Sequence, residues 1–103
     1  MQQFDIVENL NPITRSRFPL AVVLQHDRVS SFSALVVAPL TSASPALAGT
    51  RLHPSLDVSG RRFVVLVEEL AAVARRTLGQ VVGSAEANRY QIVAALDLLF
   101  TGI

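Results

Sequence analysis

The sequence of 103 residues contains no cysteine, no tryptophan and no lysine, and each absence narrows what the protein can be. Without cysteine it has no disulfide and no thiolate nucleophile. All nine basic residues are arginine, eight acidic residues offset them, and the net charge is +1. This is not the basic excess of a protein that coats nucleic acid, so we expect no direct nucleic-acid binding.

Long apolar runs are also absent, although half of the residues are hydrophobic. No run approaches the roughly 18 apolar residues of a membrane-spanning helix, and residues 1–5 carry no signal-peptide pattern. We therefore expect a single domain over residues 1–103 that is cytoplasmic and has no membrane partner. An apolar fraction this high in a small chain is typical of a core shared with a second copy.

Short apolar segments separated by turn signals predict a mainly β chain. The predicted strands are residues 4–8, 18–25, 34–38 (ending before Pro39), 50–54, 55–58 and 63–67. Turns are predicted at residues 29–33 and at Ser59-Gly60, and residues 41–49 are predicted to be a flexible crossing.

The last twenty residues, 84–103, predict one amphipathic helix. Ser84 is a suitable N-cap. The predicted helix has an apolar stripe with helical spacing, formed by Ile92, Leu96, Leu99 and Ile103. Val93 and Phe100 widen this stripe on one side. A helix with so wide an apolar arc is expected to bury more than one side.

Four motifs, in order along the chain, resemble the CcdB family of toxins from toxin–antitoxin pairs. The ending of residues 95–103 is similar to the family's apolar helix and its Phe-Trp-Gly-Ile tail. Residues 15–27 resemble its second strand and Gln-x-Asp exit, residues 36–43 its Pro-Leu-x-Ser-Ala segment, and Leu52-His53-Pro54 its Leu-aromatic-Pro. The resemblance covers essentially the whole chain.

This resemblance implies a mainly β fold with a C-terminal α-helix. The expected architecture is the SH3-type barrel of CcdB and MazF, an antiparallel sheet closed by one helix. Propensity alone makes residues 68–76 helical, whereas the resemblance implies a turn and then a last strand at residues 75–82. It also implies a homodimer, in which a two-fold axis brings the two C-terminal tips together.

The function implied by the resemblance is poisoning by binding, without catalysis and without a cofactor. Family toxins bind the A subunit of DNA gyrase and trap the cleaved-DNA state. The gyrase contacts correspond to Arg28, Val29, Asp97, Thr101, Gly102 and Ile103. The contacts to a CcdA-like antitoxin correspond to Arg28, Val29, Asp97, Phe100 and Thr101.

Three of these positions depart from the family pattern. Thr101 stands where the family has Trp, Asp97 where it can have Asn, and Arg28 where it can have Ile. The antitoxin is expected to be a partly disordered acidic segment that folds on the toxin. The arginines available to receive it are Arg28, Arg61, Arg62, Arg75 and Arg76.

Two alternative functions stay open at this point. A MazF-like endoribonuclease would need an Arg, a Ser or Thr and a basic groove, and no such constellation stands out. A diverged homologue that binds an antitoxin without poisoning gyrase is compatible with the altered tip. Adjacent strand residues point to opposite faces, so neither His26-Asp27 nor Glu68-Glu69 is expected to be catalytic. The histidines are isolated, and no metal site is expected.

Overall fold

The computed structural model describes residues 1–29, 33–47 and 50–103 as a curled antiparallel sheet with one helix after it. The strands are β1 (Asp5–Asn9), β2 (Leu20–Val23), β3 (Ala34–Ser42), β4 (Ser55–Val58), β5 (Arg61–Val65), β6 (Ala71–Ala74) and β7 (Leu78–Ser84). The helix α1 is Arg89–Thr101, and the 3-10 segments are Val67–Glu69, Arg75–Thr77 and Glu86–Asn88. The predicted fold class is confirmed, with the sheet forming a half barrel.

The strand order is β4-β5-β3-β2-β1-β7, and β6 also pairs with β3. One edge of β3 pairs with β6 through Val37 and with β5 from Leu40 onward. Pro39 lies at that change of partner, and its carbonyl accepts the Leu66 N–H at 3.0 Å. The N–H and C=O of a strand residue point to the same side, so the N–H that Pro39 lacks falls at the change of partner. The prediction that the strand ends before Pro39 is therefore wrong.

Other boundaries also differ from the predictions. Residues 50–54 bend and form no strand, and residues 71–74 form β6. The last strand is β7, preceded by a 3-10 turn, rather than residues 75–82. β6 forms because it pairs with the first half of β3, a tertiary contact that overrides helix propensity. Of the predicted turn at 29–33 and crossing at 41–49, residues 30–32 and 48–49 lie outside the described residues, and 41–42 belong to β3.

The remaining strand predictions and the hairpin turn are confirmed. Strands β1, β2, β4 and β5 lie within or next to the predicted segments. Ser59 and Gly60 both have positive φ, 52° and 81°. Two positive φ values are the signature of the type I′ turn, whose twist matches that of the two strands it joins.

The core has two parts because the sheet is buried on both faces at its centre. Ile6 and Val22 face α1 and pack with Leu40 and Ile92 in one cluster. Their strand neighbours Val7, Ala21 and Val23 point the other way and pack with Leu35, Val37 and Leu78. The helix is therefore fixed to one face of a sheet that is already filled on the other.

α1 begins five residues later than predicted. Ser84 Oγ accepts the Glu86 N–H at 3.2 Å, but the N-cap residue of the α-helix is Asn88, so Ser84 is not the cap of α1. Phe4 fixes the start of the segment between β7 and α1, because Phe4 is buried and its carbonyl accepts the Ala85 N–H at 2.7 Å. None of the helices in the described ranges has the length and apolar character needed to traverse a bilayer.

Close packing of β7 on β1 gives a stability prediction at Gly79. A Cβ at residue 79 would lie 2.9 Å from the Glu8 Cβ, and the Glu8 carboxylate also accepts the Gln80 N–H at 2.9 Å. We expect Gly79→Ala to lower the free energy of unfolding by about 1–3 kcal/mol, measured by urea denaturation. Gly83→Ala is the control, because its Cβ would meet nothing closer than 3.8 Å. Equal losses in both variants would contradict the prediction.

Candidate functional site

The helix α1 has one face in the core and an opposite face in solvent. Ile92 and Ala95 are buried, and Leu96 and Leu99 pack partly buried against the same cluster. A single chain therefore buries one side of α1, and burial of a second side stays a prediction about a second copy of the chain. The solvent face carries Tyr90, Val93, Ala94, Asp97, Phe100 and Thr101. An apolar surface of this kind, with one carboxylate within it, is unusual for solvent contact.

The end of α1 is closed by a glycine cap. Gly102 has φ of 74°, in the left-handed region, and its N–H donates to the Leu98 carbonyl at 3.0 Å. The Thr101 hydroxyl donates to the Asp97 carbonyl at 2.7 Å, so it is engaged within the helix. Phe100 and Ile103 leave 69% and 82% of their surface exposed. The tip, which we define as residues 100–103, thus has an ordered backbone and two apolar side chains in solvent.

Arg28 and Val29 lie in a turn after β2 that hydrogen bonds fix locally. The Arg28 N–H donates to Nδ1 of His26 at 3.0 Å, and the Val29 N–H donates to the His26 carbonyl at 2.9 Å. Asp27 Oδ1 accepts the Gln3 N–H at 2.8 Å. His26 and Asp27 are therefore both occupied by main-chain donors, and Val29 is left 65% exposed.

The two predicted groups of site residues lie on different parts of the surface. The turn lines a cavity through Val29, together with Leu35 and Arg75. The helix lines another cavity through Gln91 and Ala94, beside β4 and the loop that precedes it. Neither of these two cavities is lined by the tip residues 100–103.

The five arginines predicted to receive an acidic partner do not form one patch. Arg61 and Arg62 are on the β4–β5 hairpin, where Arg62 Nη1 lies 3.0 Å from Asp57 Oδ2. Arg75 and Arg76 are in the 3-10 segment before β7. Arg75 and Val29 line the same cavity. The turn with Arg28 and the segment with Arg75 are therefore the two that lie close together.

The adjacent carboxylates of Glu68 and Glu69 contact different residues. Glu68 Oε2 lies 2.5 Å from Nε2 of His53, whereas Glu69 lies 4.0 Å from the Arg17 guanidinium. The two carboxylates thus do not converge on one point, as expected. Within residues 1–29, 33–47 and 50–103, no group of three or more His, Asp or Glu side chains is placed to hold a metal.

Sequence reasoning missed Tyr90, on the solvent face of α1, and Arg51, which contacts the tip. Tyr90 is 82% exposed on the solvent face of α1, and its spacing of seven residues from Asp97 would have placed it there. Arg51 Nη2 donates to the main-chain oxygen of Ile103 at 2.6 Å. The two residues are 52 positions apart, and no local pattern indicates such a contact.

A comparison with protein families identifies the family of the chain. The family described as CcdB protein matches residues 3–102, which is nearly the whole sequence. No curated protein sequence matches the chain.

Proposed function

Since the chain belongs to the CcdB family, we propose that it is the toxin of a toxin–antitoxin pair. It acts in the cytoplasm as a homodimer, binds the A subunit of DNA gyrase and traps the gyrase–DNA cleavage complex. A CcdA-like antitoxin neutralises it. It inhibits by binding and catalyses no reaction.

The observation that carries this proposal is the exposed tip. Phe100 and Ile103 hold large apolar surfaces in water at the end of a helix whose other face is fixed to the core. Rigid apolar side chains that project from a capped helix end are suited to insert into a pocket of a partner protein. The backbone cap at Gly102 keeps that end ordered before binding.

The homodimer is supported by an apolar surface next to the tip. The solvent face of α1 carries Tyr90, Val93 and Phe100, and the edge strand β7 exposes Val81 and Val82. An uncovered edge strand and an apolar helix face are surfaces that proteins normally cover. A two-fold pairing through the same patch on both chains would cover them and bring the two tips near one axis.

The dimer is tested at Val93, which lies on the solvent face of α1 and is 41% exposed. Val93→Asp would desolvate a charge in the interface, so we expect the dimer dissociation constant to rise by about a hundredfold or more. Sedimentation equilibrium measures it. Gln91→Asp is the control, because Gln91 lies on the flank that faces the cavity beside Arg51 and Arg62. A wild-type chain that stays monomeric at all concentrations would contradict the dimer.

Three residues favour a second candidate function. Thr101 offers a small side chain, with its hydroxyl already bonded to the Asp97 carbonyl, where the family has a Trp ring. Asp97 and Arg28 add charges to exposed positions where the family can have neutral groups. The two added charges and the absence of the Trp ring disfavour binding to a partner surface that fits neutral groups. The second candidate is therefore a homologue that binds its antitoxin and does not poison gyrase.

The antitoxin surface in this proposal combines charge and apolar contact. Arg75 and the exposed Val29 line one cavity, and Arg28 precedes Val29 in the same turn. An acidic disordered segment would be drawn to these guanidinium groups and would order on contact. The same segment would cover Phe100 and Thr101 when it reaches the tip.

Calorimetry against the dimerisation region of the gyrase A subunit, with a supercoiling assay, separates the candidates. Tight binding with inhibition of supercoiling supports the poison. Binding of an acidic antitoxin peptide without gyrase binding supports the second candidate. Site-specific cleavage of RNA without divalent ions would instead favour a MazF-like endoribonuclease and contradict both.

A further inference from the structure

The tip is attached to the rest of the chain at a second point besides its own helix. Arg51 Nη2 donates to the main-chain oxygen of Ile103 at 2.6 Å, across 52 residues of sequence. The guanidinium contacts the backbone, and the Ile103 side chain stays 82% exposed. The contact therefore holds the tip without covering its apolar group.

Residues 50–54, which include Arg51, are fixed to the sheet and to the 3-10 segment Val67–Glu69. His53 Nε2 lies 2.5 Å from Glu68 Oε2, and both side chains are at least partly buried. The His53 N–H donates to Thr50 Oγ1 at 3.1 Å, and the carbonyl of the buried Pro54 accepts the Val65 N–H at 2.9 Å. Arg51 thus projects from a segment whose backbone is held in place by hydrogen bonds, and its side chain contacts Ile103 from that fixed position.

We infer that Arg51 is a positioning residue for the partner-binding tip. It fixes the last residues from one side, and the Gly102 cap fixes them from the helix side. A tip ordered before binding loses less conformational entropy when it enters a partner. The statement about partner binding rests on the proposed function, whereas the statement about tip order does not.

The test compares Arg51→Ala and Arg51→Lys with the wild-type protein by 15N relaxation of the Gly102 and Ile103 amides. In Arg51→Ala we expect the Ile103 order parameter to fall from about 0.85 to below about 0.6, with the thermal unfolding midpoint unchanged. We expect Arg51→Lys to keep part of the order, because an ammonium still donates to the oxygen. Arg15→Ala is the charge-matched control, since Arg15 is exposed in a distant turn.

The same variants are then titrated with the gyrase A dimerisation region and with an acidic antitoxin peptide. We expect Arg51→Ala to bind about three- to tenfold more weakly than Arg15→Ala. Wild-type order at Ile103 in Arg51→Ala would overturn the inference, and so would equal affinity despite a mobile tip. If the wild-type protein binds neither partner, the proposed function fails, and the relaxation data still decide whether Arg51 holds the tip.

Discussion

Thr101→Trp is expected to strengthen binding to the dimerisation region of the gyrase A subunit by about a hundredfold, or roughly 2.7 kcal/mol. Residue 101 is the last residue of α1, is exposed, and stands between the exposed Phe100 and the Gly102 cap. A Trp ring there would add a wide apolar surface to the tip. Stability should change little, since the Thr101 side chain is exposed and its hydroxyl bonds to the Asp97 carbonyl of its own helix.

Calorimetry of wild type, Thr101→Trp and Thr101→Val checks this expectation. Thr101→Val removes the hydroxyl and keeps the size, so it isolates the effect of the ring from the effect of the lost hydrogen bond. A gain in Thr101→Trp alone would mean that the scaffold suits gyrase and that the natural tip lacks its anchor. Equal affinities in all three proteins would contradict the expectation, and they would direct attention to the charges at Asp97 and Arg28.

The sequence predicted the fold best where burial alone decides the local structure. β2 is a run of apolar residues, β5 ends in the buried residues Phe63, Val64 and Val65, and the Ser59-Gly60 turn between β4 and β5 needs two positive φ values. Each of these signals is local. The sequence predicted least well where a strand depends on a distant partner. β6 is a strand because Ala71–Ala74 pairs with β3, although its alanines favour a helix.

Pro39 is a second case in which a distant strand partner, and not the local sequence, decides the structure. A proline in the middle of a strand normally ends it, since its ring nitrogen donates no hydrogen bond. Here β3 continues to Ser42 because one edge of the strand changes partner at this residue. The order of the strands decides whether the missing donor matters, and that order is not visible in the residues around Pro39.

The candidate site was also predicted where the signal is local and missed where it depends on a distant contact. The helical spacing and the resemblance both directed attention to the end of α1, where Phe100 and Ile103 are exposed. The helical spacing also placed Ile103 on the apolar stripe of the helix, which is wrong because α1 ends at Thr101 and Gly102 turns the chain. The contact from Arg51 joins a loop to the tip through one long side chain. Such contacts follow from the folded arrangement and have no periodicity in the sequence.

Ile92→Ala is the second large effect that we expect, and it concerns the buried half of the α1 apolar arc. Ile92 is fully buried and packs between α1 and the sheet in the larger core cluster. Shortening it to Ala removes three carbons and leaves a cavity that the sheet cannot fill. We expect a loss of about 2–5 kcal/mol in the free energy of unfolding, a large share of the 5–15 kcal/mol typical of a small domain.

Val93→Ala is the matched control, because Val93 is the next residue and lies on the solvent face. Urea denaturation of both variants at matched protomer concentrations, one where the chain is monomeric and one where it is dimeric, measures both costs, since the stability of a dimer depends on concentration. At concentrations where the chain is monomeric, Val93→Ala should cost under about 0.5–1 kcal/mol, and its cost should rise as the dimer forms. Equal costs in monomers would mean that both halves of the arc serve folding. Unequal costs would assign Ile92 to folding and Val93 to association, which accounts for an apolar arc wider than one core needs.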